Sequence, residues 1–102
     1  MSQMCLLKLI FDEGLYDEMT DLLLGFPGTE LAFLSVSARW HAQQLPGQPG
    51  SITEQVSGFK RQQLIELAVP QTQANQLYQH LKRQLPPASF RGLLLPLLSL
   101  EP

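Results

Sequence analysis

The residues of this chain that could do chemistry gather on either side of one polar stretch near its middle. Arg39, Trp40 and His41 precede that stretch, and Lys60 and Arg61 follow it. The three basic side chains can form a rim that attracts an anion, because guanidinium and ammonium groups donate strong hydrogen bonds to carboxylate and phosphate oxygens. The same side chains also suit a solvated entry to a strand, and the sequence leaves both interpretations open.

Trp40 and His41 place an indole ring beside an ionisable imidazole ring. An indole offers a large apolar surface and one hydrogen-bond donor, which suits contact with a ligand or a partner protein, although packing within a loop is the commoner use. Within the polar stretch, Glu54 and Gln55 are candidates for the same contact. Glu54 also follows Ser51 by three residues, the spacing of a helix capping box, so a purely local role is the alternative.

No motif for catalysis or for metal binding stands out. The chain has no P-loop, no Gly-x-Ser-x-Gly elbow and no His-Glu-x-x-His motif, so we expect no enzyme activity and identify no cofactor. Cys5, His41 and His80 lack the spacing of metal ligands within one segment. Met1, Met4 and Cys5 are soft donors that suit Cu(I). A start residue and a buried strand cysteine are the simpler interpretation, and the metal remains unknown.

Composition narrows the class of protein. A length of 102 residues predicts a single domain over 1–102, and a hydrophobic content of 44% is that of a globular chain. The net charge of -2 argues against a nucleic-acid partner, and a single cysteine excludes an internal disulfide. No apolar run approaches the roughly 20 residues of a spanning helix, and the beginning of the chain lacks signal-peptide features. We therefore expect no direct membrane insertion and a cytoplasmic location.

Hydrophobic spacing predicts the elements that must position the candidate residues. Period-two or continuous apolar runs predict strands, and period-3.6 runs predict helices. The predicted strands cover residues 5–11, 29–40, 62–70 and 89–100, and the predicted helices cover residues 12–26 and 72–85. Asp12 is the expected N-cap of the first helix, and Pro96 demands a bulge or an edge position for the last strand. The order β-α-β-β-α-β predicts an α+β, ferredoxin-like sandwich, with both helices on one face of a four-stranded antiparallel sheet.

The other face of that sheet has nothing to cover it. In the first strand, Leu6 and Ile10 alternate with an equally apolar set, and either set can face away from the helices: Cys5, Leu7, Leu9 and Phe11. Strands that are apolar on both faces are usually covered on both faces. We therefore expect a homo-oligomer that packs sheet surfaces together. A two-layer monomer with some exposed leucines is the alternative.

The candidate residues fall in an insertion of about residues 39–62 between the second and third strands, and loops this long are usually functional or disordered. The element order, this insertion and the ending LLLPLLSL resemble the PII-like signalling proteins, the nitrogen regulatory protein PII superfamily. The segment EQVSG at residues 54–58 resembles an uncharacterised branch of that superfamily, which is often encoded beside heavy-metal efflux pumps. The resemblance implies a homotrimer with clefts between subunits. It also implies a T-loop, at residues 39–62, that contacts a partner protein.

The same resemblance implies a regulatory protein that senses a small ligand or a metal state, with a transporter or efflux component as its partner. The chain departs from the nitrogen-sensing members before its last strand, where they carry a glycine-rich, lysine-containing phosphate loop. Here Pro86 and Pro87 occupy the connection and have no N–H to donate, which argues against nucleotide binding in the usual PII manner. The alternatives are a divalent-metal-binding tolerance protein of the same fold and a small enzyme on a ferredoxin-like scaffold.

Overall fold

The computed structural model describes residues 3–42 and 59–98. In chain order its elements are β1 (Met4–Asp12), a 3-10 turn (Glu13–Leu15), α1 (Tyr16–Leu24), β2 (Leu34–Trp40), β3 (Lys60–Pro70), α2 (Gln71–Gln84) and β4 (Phe90–Pro96). All the strand pairs are antiparallel, and the strand order across the sheet is β2-β3-β1-β4. The predicted α+β, ferredoxin-like architecture is confirmed, and β4 is an edge strand, as Pro96 requires.

The core lies between the sheet and the two helices. On β1 every second residue is buried, which is the period of a strand with one face on a core. Both helices turn an apolar stripe toward these residues. The fully buried large side chains are Phe11, Leu9, Met19, Leu23, Ile65, Leu67, Leu77 and Leu81. This layer packs against β1 and β3, the two central strands of the sheet.

The first helix is shorter than the sequence predicts. Asp12 is a cap, as expected, but its Oδ1 accepts a hydrogen bond of 3.0 Å from the Gly14 N–H and so opens a 3-10 turn. The α-helix begins only at Tyr16 and ends at Leu24, and Phe26 lies beyond it. The prediction of one continuous helix over 12–26 is therefore wrong, because the apolar spacing continues through a turn of different hydrogen bonding.

The third strand begins inside the region predicted as insertion. β2 ends at Trp40, as predicted, but β3 starts at Lys60, two residues before the predicted strand, so Arg39, Trp40, Lys60 and Arg61 are all strand residues. The insertion expected at 39–62 narrows to residues 41–59, which we call the long connection. Because its ends belong to paired strands, the side chains at its base have a defined orientation.

The sheet surface that faces away from the helices, here called the open face, is rich in apolar side chains. Since Cys5 and its alternate neighbours are buried in the core, Leu6 and Ile10 are the set on the open face. Register places five exposed apolar side chains on the same surface, each 42–60% exposed: Met4, Leu34, Val36, Leu93 and Leu95. Neither described helix has the length and the apolar composition that a membrane crossing requires.

Candidate ligand-binding clefts at the base of the long connection

Strand alternation divides the predicted basic rim into two groups. In the β2–β3 register, Trp40 lies opposite Lys60, and Arg39 lies opposite Arg61. Successive residues of a strand point to opposite faces, so Trp40 and Lys60 lie on the open face while both arginines lie on the helix side. The sequence predicted one rim, and the structure has two separate basic groups, one on each face of the sheet.

The open-face cleft has a volume of about 330 Å³ and an aromatic and basic lining. Its lining consists of Ile10, Trp40, Lys60, Gln62, Ala88, Phe90 and Arg91. The Arg91 Cζ atom lies 4.1 Å from the centroid of the Trp40 ring, which is a cation–π contact. Two cations thus adjoin one indole, and no carboxylate lines the cleft among the residues the structure describes. Such a surface suits an anion that carries a flat group, with the flat group on the indole and the charge near the cations.

The helix-side cleft, of about 300 Å³, lies on the opposite surface of the same two strands. The Arg39 Cζ atom lies 5.0 Å from the centroid of Phe59, and the ring centroid of His41 lies 5.7 Å from the same point. Arg39 and Arg61 line this cleft together with Glu13. Like charges directly opposite each other on a sheet are destabilising, so an anion held between the two arginines would relieve their repulsion.

The turn before β4 contributes a strained residue to the open-face cleft. Ala88 has a φ of 59°, in the left-handed region that favours glycine. It follows Pro86 and Pro87, whose rings fix φ and restrict the path of the turn. Strained backbone of this kind costs of order 1 kcal/mol and gathers at functional sites, so the turn fits a role in shaping the cleft.

Sequence reasoning missed Arg91, and it also grouped His41 with Trp40. The only local signal for Arg91 is a basic residue at the start of the last strand, because its approach to Trp40 depends on three strand registers. His41 contacts Phe59 rather than forming a unit with Trp40. Glu54 and Gln55 lie outside the described residues, so their contact with a ligand or partner stays a prediction.

The described residues do not form a metal-binding site. They contain no group of three or more His, Cys, Asp or Glu side chains placed to hold an ion. Cys5 is buried on the core side of β1, whereas Met4 is exposed and on the open face. These two soft donors therefore do not meet, and Met1 lies outside the described residues.

Comparison with known proteins gives one family match. The model of the family described as "Protein of unknown function (DUF3240)" matches residues 1–100. No curated protein sequence matches the chain.

Solved structures show similarity of fold. A DUF3240 family protein from Shewanella baltica OS155 aligns with a TM-score of 0.69 and 18% identity, covering 100% of this chain and 98% of that one. A functionally unknown protein from Pediococcus pentosaceus ATCC 25745 aligns with a TM-score of 0.65 and 9% identity, covering 100% and 99%. The B. subtilis GlnK–ATP complex aligns with a TM-score of 0.52 and 16% identity, covering 93% and 84%. The resemblance to the PII-like fold is thereby confirmed.

Proposed function

The chain belongs to the DUF3240 family and has a fold related to that of GlnK, and on this premise we propose that it is a homo-oligomeric regulatory protein of the PII-like kind rather than an enzyme. It senses a small anionic ligand at the base of the long connection. Through that connection it contacts a partner protein.

The position of the open-face cleft carries this proposal. Trp40 is the last residue of β2 and Lys60 is the first residue of β3, so two of the residues that line the cleft also flank the long connection. A ligand that binds both residues restrains the two ends of residues 41–59 at once. Such a ligand shifts the connection toward the conformations compatible with binding, which is the usual physical basis of a ligand-controlled contact.

Ligand chemistry follows from the lining. Lys60 and Arg91 supply the positive charge, and Trp40 supplies a flat surface. GlnK of B. subtilis was solved as a complex with ATP, but Pro86 and Pro87 here cannot donate backbone hydrogen bonds to phosphates. We therefore propose that the ligand is held by side chains, not by a phosphate-binding loop.

The assembly and the partner are also parts of the proposal. The apolar open face supports self-association, and the family resemblance favours a homotrimer. The same resemblance suggests a component of a transporter or heavy-metal efflux pump as the partner, with metal export as the regulated process.

Trp40 allows a direct test, because it is the chain's single tryptophan. Native mass spectrometry gives the oligomeric state, and Trp40 fluorescence is then titrated with ATP, ADP, AMP, Cu, Zn and Co. We expect a saturable change with at least one anionic compound, which the R91A and K60A variants lose and the R83A variant, changed on the exposed surface of α2, retains. A response to metals alone would favour the metal-binding alternative. A monomer that responds to none of the compounds would contradict the proposal.

The long connection has its own test. Glu54 and Gln55 are proposed to contribute to the partner contact, and the variant E54A/Q55A should weaken the protection of residues 41–59 from hydrogen exchange when the partner is present. Equal protection of the variant and the unaltered protein would exclude a direct role for the two side chains.

A further inference from the structure

One ion pair lies in the middle of the apolar open face. The Lys8 Nζ and Glu66 Oε2 atoms are 3.7 Å apart, and the two side chains are 31% and 24% exposed. The residues are register partners on β1 and β3, the two central strands of the sheet. The pair therefore lies midway between the two edge strands of the sheet, β2 and β4.

The neighbours of this pair are apolar in every direction along the sheet. Across the strands, Leu34 lies opposite Glu66 on β2, and Leu93 lies opposite Lys8 on β4. Along the strands, the adjacent positions on the same face are Leu6, Ile10, Leu64 and Ala68. The other charged residues that register places on the open face gather at one end of the sheet: Asp12, Lys60 and Arg91.

An isolated pair of this kind gains little while it faces water. Once a second copy covers the open face, both groups lose their water, and desolvation of a charge costs more than one contact returns unless further partners are present. The ammonium has three donors and the carboxylate has two acceptor oxygens, whereas the 3.7 Å contact within the copy is an ion pair too long to be a hydrogen bond. The missing partners must be polar groups of the covering surface.

We infer that Lys8 of each copy pairs with Glu66 of the neighbouring copy, so that these two residues set the register and orientation of the self-association interface. This inference rests on the self-association in the proposed function. The centre of the face carries one positive and one negative group side by side, and a symmetric copy therefore presents the charge that each group lacks. In a closed cyclic assembly the contact repeats at every junction, and positive and negative groups alternate around the axis.

Mixing two charge-swap variants distinguishes a contact between copies from a contact within one copy. The K8E variant carries two negative groups at this place, and the E66K variant carries two positive groups. For each variant alone, the dissociation constant of self-association should be at least about tenfold higher than that of the unaltered protein, because every junction brings like charges together. When ¹⁵N-labelled K8E is mixed with unlabelled E66K, native mass spectrometry should show mixed oligomers well above the statistical proportion, since the copies now carry opposite charges.

The controls address charge and folding. The variants R83E and E18K change exposed helical residues by the same charges, and neither their separate assembly nor their mixture should differ from that of the unaltered protein. The variant K8E/E66K restores opposite charges both within and between copies and should assemble normally. If a single swap fails to fold, K8Q and E66Q replace the swaps. Each should weaken assembly because it leaves one unpaired charge, whereas K8Q/E66Q should assemble.

The outcomes are distinct. Normal assembly of K8E and E66K separately, or weakened assembly that mixing does not restore, overturns the contact between copies while leaving self-association intact. If the glutamine variants are used, equal assembly of K8Q, E66Q and K8Q/E66Q overturns the contact between copies. A monomeric unaltered protein instead refutes the self-association on which the inference rests.

Discussion

Replacing Gly92 by alanine should create a local clash whose size follows from the structure. A Cβ atom at this position would lie 2.7 Å from Cε1 and 2.9 Å from Cδ1 of Tyr78. Ordinary carbon–carbon contact begins at about 3.5 Å, so the ring must move by about 0.8 Å. Its movement is restricted, because the ring packs edge-on against Phe90 at 5.6 Å between centroids and lies beneath the Lys82 ammonium at 5.7 Å.

The expected magnitude combines two opposing effects. Overpacking of this kind costs about 1–3 kcal/mol. Alanine in a strand regains about 0.5–1 kcal/mol relative to glycine, because the unfolded chain loses conformational freedom. The G92A variant should therefore lose about 1 kcal/mol of unfolding free energy, or about 4–8 °C of melting temperature for a domain of this size.

A double-mutant cycle tests the cause of this loss. Urea unfolding is followed by circular dichroism at one fixed protein concentration, for G92A, Y78A and G92A/Y78A. Removing the ring removes the obstacle, so G92A should be neutral or slightly stabilising in the Y78A background. The G14A variant is the matched control, since its Cβ would lie 3.4 Å from the nearest side-chain atom. If G92A costs the same free energy with and without the Tyr78 ring, the steric explanation is refuted.

Four further variants have expected outcomes. Leu9 is 0% exposed and Leu24 is 67% exposed, so urea unfolding should show a loss of about 2–5 kcal/mol for L9A and less than about 0.5 kcal/mol for L24A. The R91A variant removes the cation 4.1 Å from the Trp40 ring, and it should change the emission spectrum of this single tryptophan while costing less than about 1 kcal/mol on urea unfolding. The A88G variant relieves a left-handed backbone at φ 59°, so its unfolding free energy should increase by up to about 1 kcal/mol and its melting temperature should rise. A lower melting temperature would contradict the explanation by backbone strain.

The element order was predictable because it depends on local patterns. Apolar periodicity and the Gly and Pro residues between elements suffice to place two helices among four strands. The outward face of β1 was not predictable in the same way. Leu6 and Ile10 are as apolar as the residues that alternate with them, and only the packing of both helices on one side decides between the two sets.

The candidate site was predicted in part. Sequence proximity drew attention to Arg39, Trp40, Lys60 and Arg61, and the structure places them at the base of the long connection. Their division between two faces requires knowing that β3 begins at Lys60 and pairs in register with β2. Arg91 reaches Trp40 only because β1 pairs with both β3 and β4, and single-sequence patterns contain no information on such long-range register.

The central place of β1 has a consequence for how the chain folds. β1 is the earliest strand in the chain, yet its hydrogen-bonding partners on both sides are β3 and β4. A hydrogen bond of 3.0 Å from the Gln3 side chain to the Leu97 carbonyl joins residues 94 positions apart. Closing such long loops is slow, since their entropy is lost before the contacts are gained.

During synthesis, β1 therefore leaves the ribosome as an apolar segment with two unpaired edges, and it stays so until the second half of the chain arrives. A segment of this kind can pair with other nascent chains. Lys8 is the single charge within its run of residues 4–11, and a charge inside a hydrophobic strand opposes such aggregation. The residue that interrupts the apolar face in the folded protein thus also protects the strand before it has folded.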